Sequence, residues 1–167
     1  MAGLERTGDG VRLRLALEEV DVVASLAEGL ATRLGGADAQ HVGRDEIVDR
    51  LAPQGSRGDP QVDAELRAML REDLTSMRVE RLGDLADRLR RGVVDREAGY
   101  DETLDRAAAM RIVEALNDLR IALAATIGFE ALEGGAIGDD DRRADAVQLL
   151  DALAWLQGGL IEYVEEE

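Results

Sequence analysis

The chain contains no cysteine, no lysine, one histidine and very few aromatic side chains: one Trp, one Phe and two Tyr in 167 residues. Without cysteine there are no disulfides, thiolate nucleophiles or thiolate metal sites. All 20 basic residues are Arg, which excludes Schiff-base chemistry and a phosphate-cradling P-loop lysine. So few aromatics leave the core to Leu, Val, Ile, Ala and Met, a set better suited to helix packing than to a β-sandwich. No apolar run approaches the ~18 residues that a bilayer span requires. The N-terminal residues lack a basic stretch followed by an apolar one, so no signal peptide is expected and the expected location is the cytoplasm.

What is abundant is acid. Asp and Glu number 36 against 20 Arg, a net charge of −16. Such a field repels phosphate backbones and anionic lipid headgroups, so neither nucleic acid nor a membrane surface is an expected partner. It attracts a basic patch on another protein. At 46% hydrophobic and 34% charged, the composition is that of a globular chain of one domain, 1–167, able to bury a sizeable core.

The densest apolar stretch runs from Asp101 to Ile127 and organises the expected fold. On a helix, Ala108, Ile112, Ala115, Leu116, Leu119, Leu123 and Ile127 share one face, while Met110, Val113, Ile121 and Ala124 cover most of the other. Arg111, Glu114 and Asp118 form its polar strip. A helix apolar over so much of its circumference is expected to be buried among other helices.

Around it, Gly3–Leu17 alternates apolar and charged residues about Gly8-Asp9-Gly10 and reads as a short β-hairpin. Leu17-Glu18-Glu19 opens a helix that ends at Gly35-Gly36, with acid in its first turn complementing the helix dipole. Residues 36–58, rich in Gly, Pro, Asp and Arg, read as a mobile connection in which Asp45–Leu51 could form a short helix. Asp59-Pro60 is a cap-and-first-position pair heading a long helix to Arg91, with a bend or break expected at Gly83. A Gly- and Asp-rich loop from Gly128 leads through Asp139-Asp140-Asp141 to a last helix, which contains Trp155 and an expensive Gly158-Gly159 pair. The predicted fold is mainly α: an antiparallel bundle of about four main helices with a short N-terminal β-hairpin.

Candidate chemistry is sparse. His41 stands alone in the connection, without the partners that a triad or metal site needs. Asp139–Asp141 lacks the alternating oxygens, central Gly and following Glu of a calcium loop, and helix capping explains it equally well. Gly134–Gly138 lacks the ending of a phosphate loop and runs into three Asp. Carboxylate pairs such as Glu18/Glu19 and Glu72/Asp73 are too common here to single one out. No cofactor and no metal site are expected. Gly158-Gly159 with Leu160, Ile161 and Val164 could offer an apolar strip to a second copy.

Arg120 is the informative residue, because it falls in the apolar arc of its helix, and a buried Arg stays charged and needs a partner. On the helix from Pro60, Asp73 sits between Leu66, Met69, Leu70 and Met77. The two are therefore expected to meet as a buried pair, with Asn117 satisfying leftover donors. The structural reading is a register-fixing pair; the functional one is a ligand carboxylate held by Arg120, with Asp73 and Asn117 beside it.

Leu116-Asn117-Asp118-Leu119-Arg120, Trp155-Leu156-Gln157, and Asp59-Pro60 heading a helix with Arg67, Leu70, Asp73 and Leu74 resemble an uncharacterised actinobacterial family, a domain of unknown function. The resemblance implies no established activity, cofactor or catalytic residue. It does imply a gene neighbourhood shared with the adaptor that delivers N-degron substrates to the Clp protease. Gly158-Gly159 departs from the longer polar residue that follows Trp-Leu-Gln in such proteins. The expected function is a non-enzymatic cytoplasmic interaction or regulatory protein, linked by that resemblance to regulated proteolysis. The alternatives are a small-ligand (carboxylate) binder using Arg120, or a carboxylate- or metal-dependent hydrolase.

Overall fold

A computed structural model describes residues 2–36, 47, 51, 60–95, 97–127 and 141–165. Its elements in chain order are β1 (Gly3–Thr7), β2 (Gly10–Leu15), α1 (Leu17–Gly35), α2 (Pro60–Arg91), β3 (Val93–Asp95), β4 (Gly99–Leu104), α3 (Arg106–Ile127) and α4 (Asp141–Glu165). The fold is mainly helical, with the expected N-terminal hairpin. That hairpin is half of something larger, a four-stranded antiparallel sheet in the order β1-β2-β4-β3.

The second hairpin corrects the sequence reading. Asp101–Leu104 is strand, and the helix starts at Arg106, not Asp101. The strand alternates as β2 does: Tyr100 and Leu104 point inward beside Val11, Leu13 and Leu15, all buried. Asp105 then caps α3, its Oδ1 accepting the Ala108 amide at 2.7 Å and its carbonyl the Ala109 amide. Two glycines permit the sheet. Gly99 has φ +68° and lies against the Leu15 carbonyl, a conformation and an approach that only glycine tolerates. A Cβ on Gly92 would strike the buried Tyr100 ring.

On the outer face of the sheet, Arg12 bridges strands to Asp101 through two bonds of 2.7 and 2.6 Å. The inner face meets the helices. α1 buries Val20, Val23, Ala24, Ala27, Leu30 and Leu34. It runs antiparallel to α2, since Glu28 meets Arg90 whereas Gly35 meets Val79. Glu19 fixes its start, accepting the Ala16 amide on Oε2 and the Ala2 amide on Oε1. α2 passes through Gly83 without the break expected there. α3 packs chiefly on α4 and also touches α1 and α2. It is buried as predicted through Ala108, Ala109, Ile112, Ala115, Leu116 and Leu119.

Of the 36–58 connection, only residues 36, 47 and 51 are described; Ile47 and Leu51 are helical and buried. His41, Gly134–Gly138 and Asp139–Asp140 lie outside the described residues. Gly159 explains part of the glycine pair in α4, for Leu4 of β1 sits where its Cβ would be, while Gly158 faces open space. Leu160 and Val164 are buried in this chain's own core, while Ile161 is half-buried.

Candidate functional site

The expected pair of Arg120 with Asp73 does not form. Asp73 is exposed. It lies nine residues before the buried Leu82, about half a turn round the same helix, and so on the side of α2 opposite that buried residue. Asn117 is exposed as well. Arg120 instead meets a neutral partner across the α3–α4 contact: its Nη1 donates to Gln157 Oε1 at 2.6 Å. Gln157 is oriented by its own Nε2, which donates to the Val113 carbonyl at 3.2 Å. The Arg120 Nε is buried without a hydrogen-bond partner.

The carboxylate buried on α3 is Asp118, 3% exposed, although its place in the polar strip predicted a solvated residue. Two arginines of α2 reach it. Arg81 Nη1 donates to Oδ2 at 2.9 Å, and Arg78 Nε approaches Oδ1 at 3.4 Å. Arg78 Nη2 also donates to the Leu51 carbonyl at 2.5 Å, and Arg81 Nε pairs with Glu114 at 3.1 Å. Burial pushes the Asp118 carboxyl up, and the charges and hydrogen bonds of Arg78 and Arg81 offset only part of that rise. A signal for this burial exists in the sequence. Ala115 and Ala122 flank Asp118 at three before and four after, leaving room for long side chains from a neighbouring helix.

Nearer the sheet, Arg88 of α2 binds Glu102 of β4 bidentately, at 3.1 and 2.6 Å, while the Tyr100 hydroxyl donates to Glu102 Oε2 at 2.6 Å. Burial lifts the Glu102 carboxyl, but the bonds from Arg88 and Tyr100 more than reverse this, and it ends below the ordinary glutamate value. The Tyr100 hydroxyl is pushed up, by burial first and by the adjacent carboxylate second. Along these two clusters α2 and α3 enclose a groove of about 540 Å3, lined by Arg81, Arg88, Arg91 and Arg111 among others.

The remaining feature is on α4. Trp155, the only Trp, is 55% exposed. On one side of it lies a hollow of about 450 Å3 against β1, lined by Leu4, Val11, Ala154, Gly158 and Tyr163 together with Glu5, Arg6 and Glu162. On the other side of α4, against α1, lies an apolar hollow of about 220 Å3 lined by Leu15, Val22, Val23, Leu149, Leu153 and Leu156, with Glu18 and Glu19 beside it. Val22 there is 45% exposed.

No group of three or more His, Asp or Glu side chains among the described residues could hold a metal ion. No helix among them is long and apolar enough to cross a membrane. Mainly helical, with a four-stranded sheet at one end and arginine–carboxylate clusters between its helices, the molecule defines a structural class before it defines a reaction. The chain belongs to the family described as Domain of unknown function (DUF2017), which matches residues 1–164. No curated protein and no solved structure matches it. Two of the segments that carry the resemblance, Leu116–Arg120 and Trp155–Gln157, supply the polar residues that tie α3 to α2 and to α4: Asp118, Arg120 and Gln157.

Proposed function

We propose that the protein is a non-enzymatic interaction module, its four helices forming an antiparallel bundle on the sheet, and that it binds a basic, amphipathic segment of a partner protein across α4. The observation that carries this reading is Trp155, an amphipathic aromatic standing in solvent with a hollow on either side of its helix. Aromatic anchors of this kind, set in apolar surface and ringed by polar groups, dominate binding energy at interfaces. The occupant's charge follows from the lining: Glu5, Glu18, Glu19 and Glu162 outnumber Arg6 around the hollows of a chain carrying −16. The resemblance implies an actinobacterial setting beside a protease adaptor, and that adaptor is the first partner to test.

Because Trp155 is the only Trp, its fluorescence reports directly on the proposed surface. Titrating a Trp-free variant of the adaptor at low and at moderate salt should shift the emission to the blue, with weaker binding at the higher salt. Trp155→Ala should abolish the binding measured by sedimentation. Binding that leaves the emission unchanged and survives Trp155→Ala would place the interface elsewhere.

A further inference from the structure

The groove between α2 and α3 is polarised along its length, a property the interaction reading does not use. The two helices run antiparallel there, with Arg78 and Arg81 opposite Asp118, and Arg81 opposite Glu114. Arg88, one or two turns further along α2, bonds β4, and Arg91 ends the helix. Arg111 lies in the second turn of α3, which the same register sets level with Asp84 and Leu85. The groove therefore runs from Arg91 and Arg88 at the sheet end, through Arg111 level with Asp84, to Glu114 and Glu80 further from the sheet.

These arginines differ in what they already hold. Arg88 is locked by two bonds to Glu102, and Arg81 by Asp118 and Glu114. Their charge is answered inside the fold, so they give the groove fixed walls and not free cations. Among the described residues Arg91 spends only its Nε, on the Asp87 carbonyl, and keeps both terminal nitrogens. Arg111 is exposed and has no hydrogen-bond or ion-pair partner among the described residues. Meanwhile Leu85 and Ile112 are buried beneath the groove. Its volume, about 540 Å3, lies within the ~300–1,000 Å3 of small-molecule sites.

We propose that the sheet end of this groove binds a small polyanion. Arg91 and Arg111 contact its carboxylate or phosphate oxygens directly, and the Arg88–Glu102 pair forms a fixed polar wall beside them. Planar guanidinium forks match both oxygen geometries bidentately. Glu80, Asp84 and Glu114 face the same groove, so the ligand must be compact enough to stay at the arginine end. This site is the carboxylate-binding alternative moved from Arg120 to arginines with free donors, and it stands apart from Trp155.

The test is thermal unfolding of the full chain with sodium citrate or sodium pyrophosphate, against sodium chloride at matched ionic strength. Binding to the folded state raises the Tm progressively with ligand concentration. The expected result is a rise above the chloride curve with at least one of the two anions, and which of them acts tells carboxylate from phosphate. Arg91→Gln/Arg111→Gln should unfold at the wild-type Tm in chloride, since both side chains are exposed, and should lose the rise. Calorimetric titration of that variant should give at least tenfold weaker binding. A rise that persists in the double variant, or no rise above chloride with either anion, overturns the proposal.

Discussion

Asp118 and Glu102 are both carboxylates gripped by arginines of α2, yet their surroundings drive them in opposite directions. Asp118 is almost sealed, its side chain 5% exposed, and its two arginines approach by single bonds of 2.9 and 3.4 Å. Glu102 keeps 33% of its side chain exposed and receives a bidentate Arg88 and a phenol. The first carboxyl is raised and the second lowered. Proximity of opposite charge is common to both. What differs is how much water was removed and how many well-aligned donors replaced it, and the comparison shows that desolvation wins where alignment is poor.

The largest effect that could break this comparison is truncation of Asp118. Asp118→Ala leaves Arg78 and Arg81 charged and largely buried, Arg78 without its carboxylate and Arg81 with Glu114 alone, and should cost about 3–5 kcal/mol in urea unfolding. If burial of charge is what makes this cluster expensive, replacing the whole of it must behave differently. Arg78→Met/Arg81→Leu/Asp118→Leu should be near neutral or stabilising relative to wild type. A triple variant as unstable as Asp118→Ala would show that the ion pairs themselves hold α2 to α3.

This cluster is also where the sequence was hardest to read. Apolar periodicity located α1, α3 and α4, and alternation located β1 and β2, because in each case one face simply repeats. Asp101–Leu104 was absorbed into the helix after it, since a six-residue strand carrying Asp101, Glu102 and Thr103 has too few apolar positions to announce a period of two. Its evidence is tertiary: β2 needs a partner on its free edge, and Gly99 needs φ above zero. Periodicity likewise placed Asp118 in a solvated strip and Arg120 opposite Asp73. Which arc of α3 faces α2 is settled by packing that a single helix does not encode, and it turned Asp118 inward and Asp73 outward. That Arg120 is not solvent-facing was legible; that its partner would be a neutral Gln157, 37 residues on, was not.

A smaller effect sharpens the contrast through pH. The Glu102 carboxyl lies below its ordinary value in the folded chain, so its contribution to stability is present above that ordinary value and lost as the pH falls through the depressed one. Asp118 has the opposite sign. Its raised value means that the contribution is present below the ordinary aspartate value and lost as the pH rises through the raised one. Urea midpoints from pH 7 to pH 3 should therefore show the gap between wild type and Glu102→Gln closing as the medium is acidified. The difference between wild type and Asp118→Asn should move in wild type's favour over the same range. Parallel trends for the two variants would mean that the clusters are electrostatically alike.

The smallest expected effect comes from a third pair that shares the geometry of the Glu102 site but not its surroundings. Arg12 holds Asp101 by two bonds as short as those between Arg88 and Glu102, on the outer face of the sheet, with side chains 43% and 25% exposed. Those bonds hold the Asp101 carboxyl below its ordinary value and lift the Arg12 guanidinium. Water competes for both partners there, and salt screens exposed charges over a Debye length of about 3 Å at 1 M. Arg12→Gln should therefore shift the urea midpoint only slightly in dilute buffer and not at all in 1 M sodium chloride. Arg88→Gln should lower it clearly in both, because it leaves the Glu102 carboxylate and the buried Tyr100 hydroxyl without their cation. Equal losses for the two substitutions would mean that bond geometry, and not the removal of water, sets the strength of arginine–carboxylate pairs in this protein.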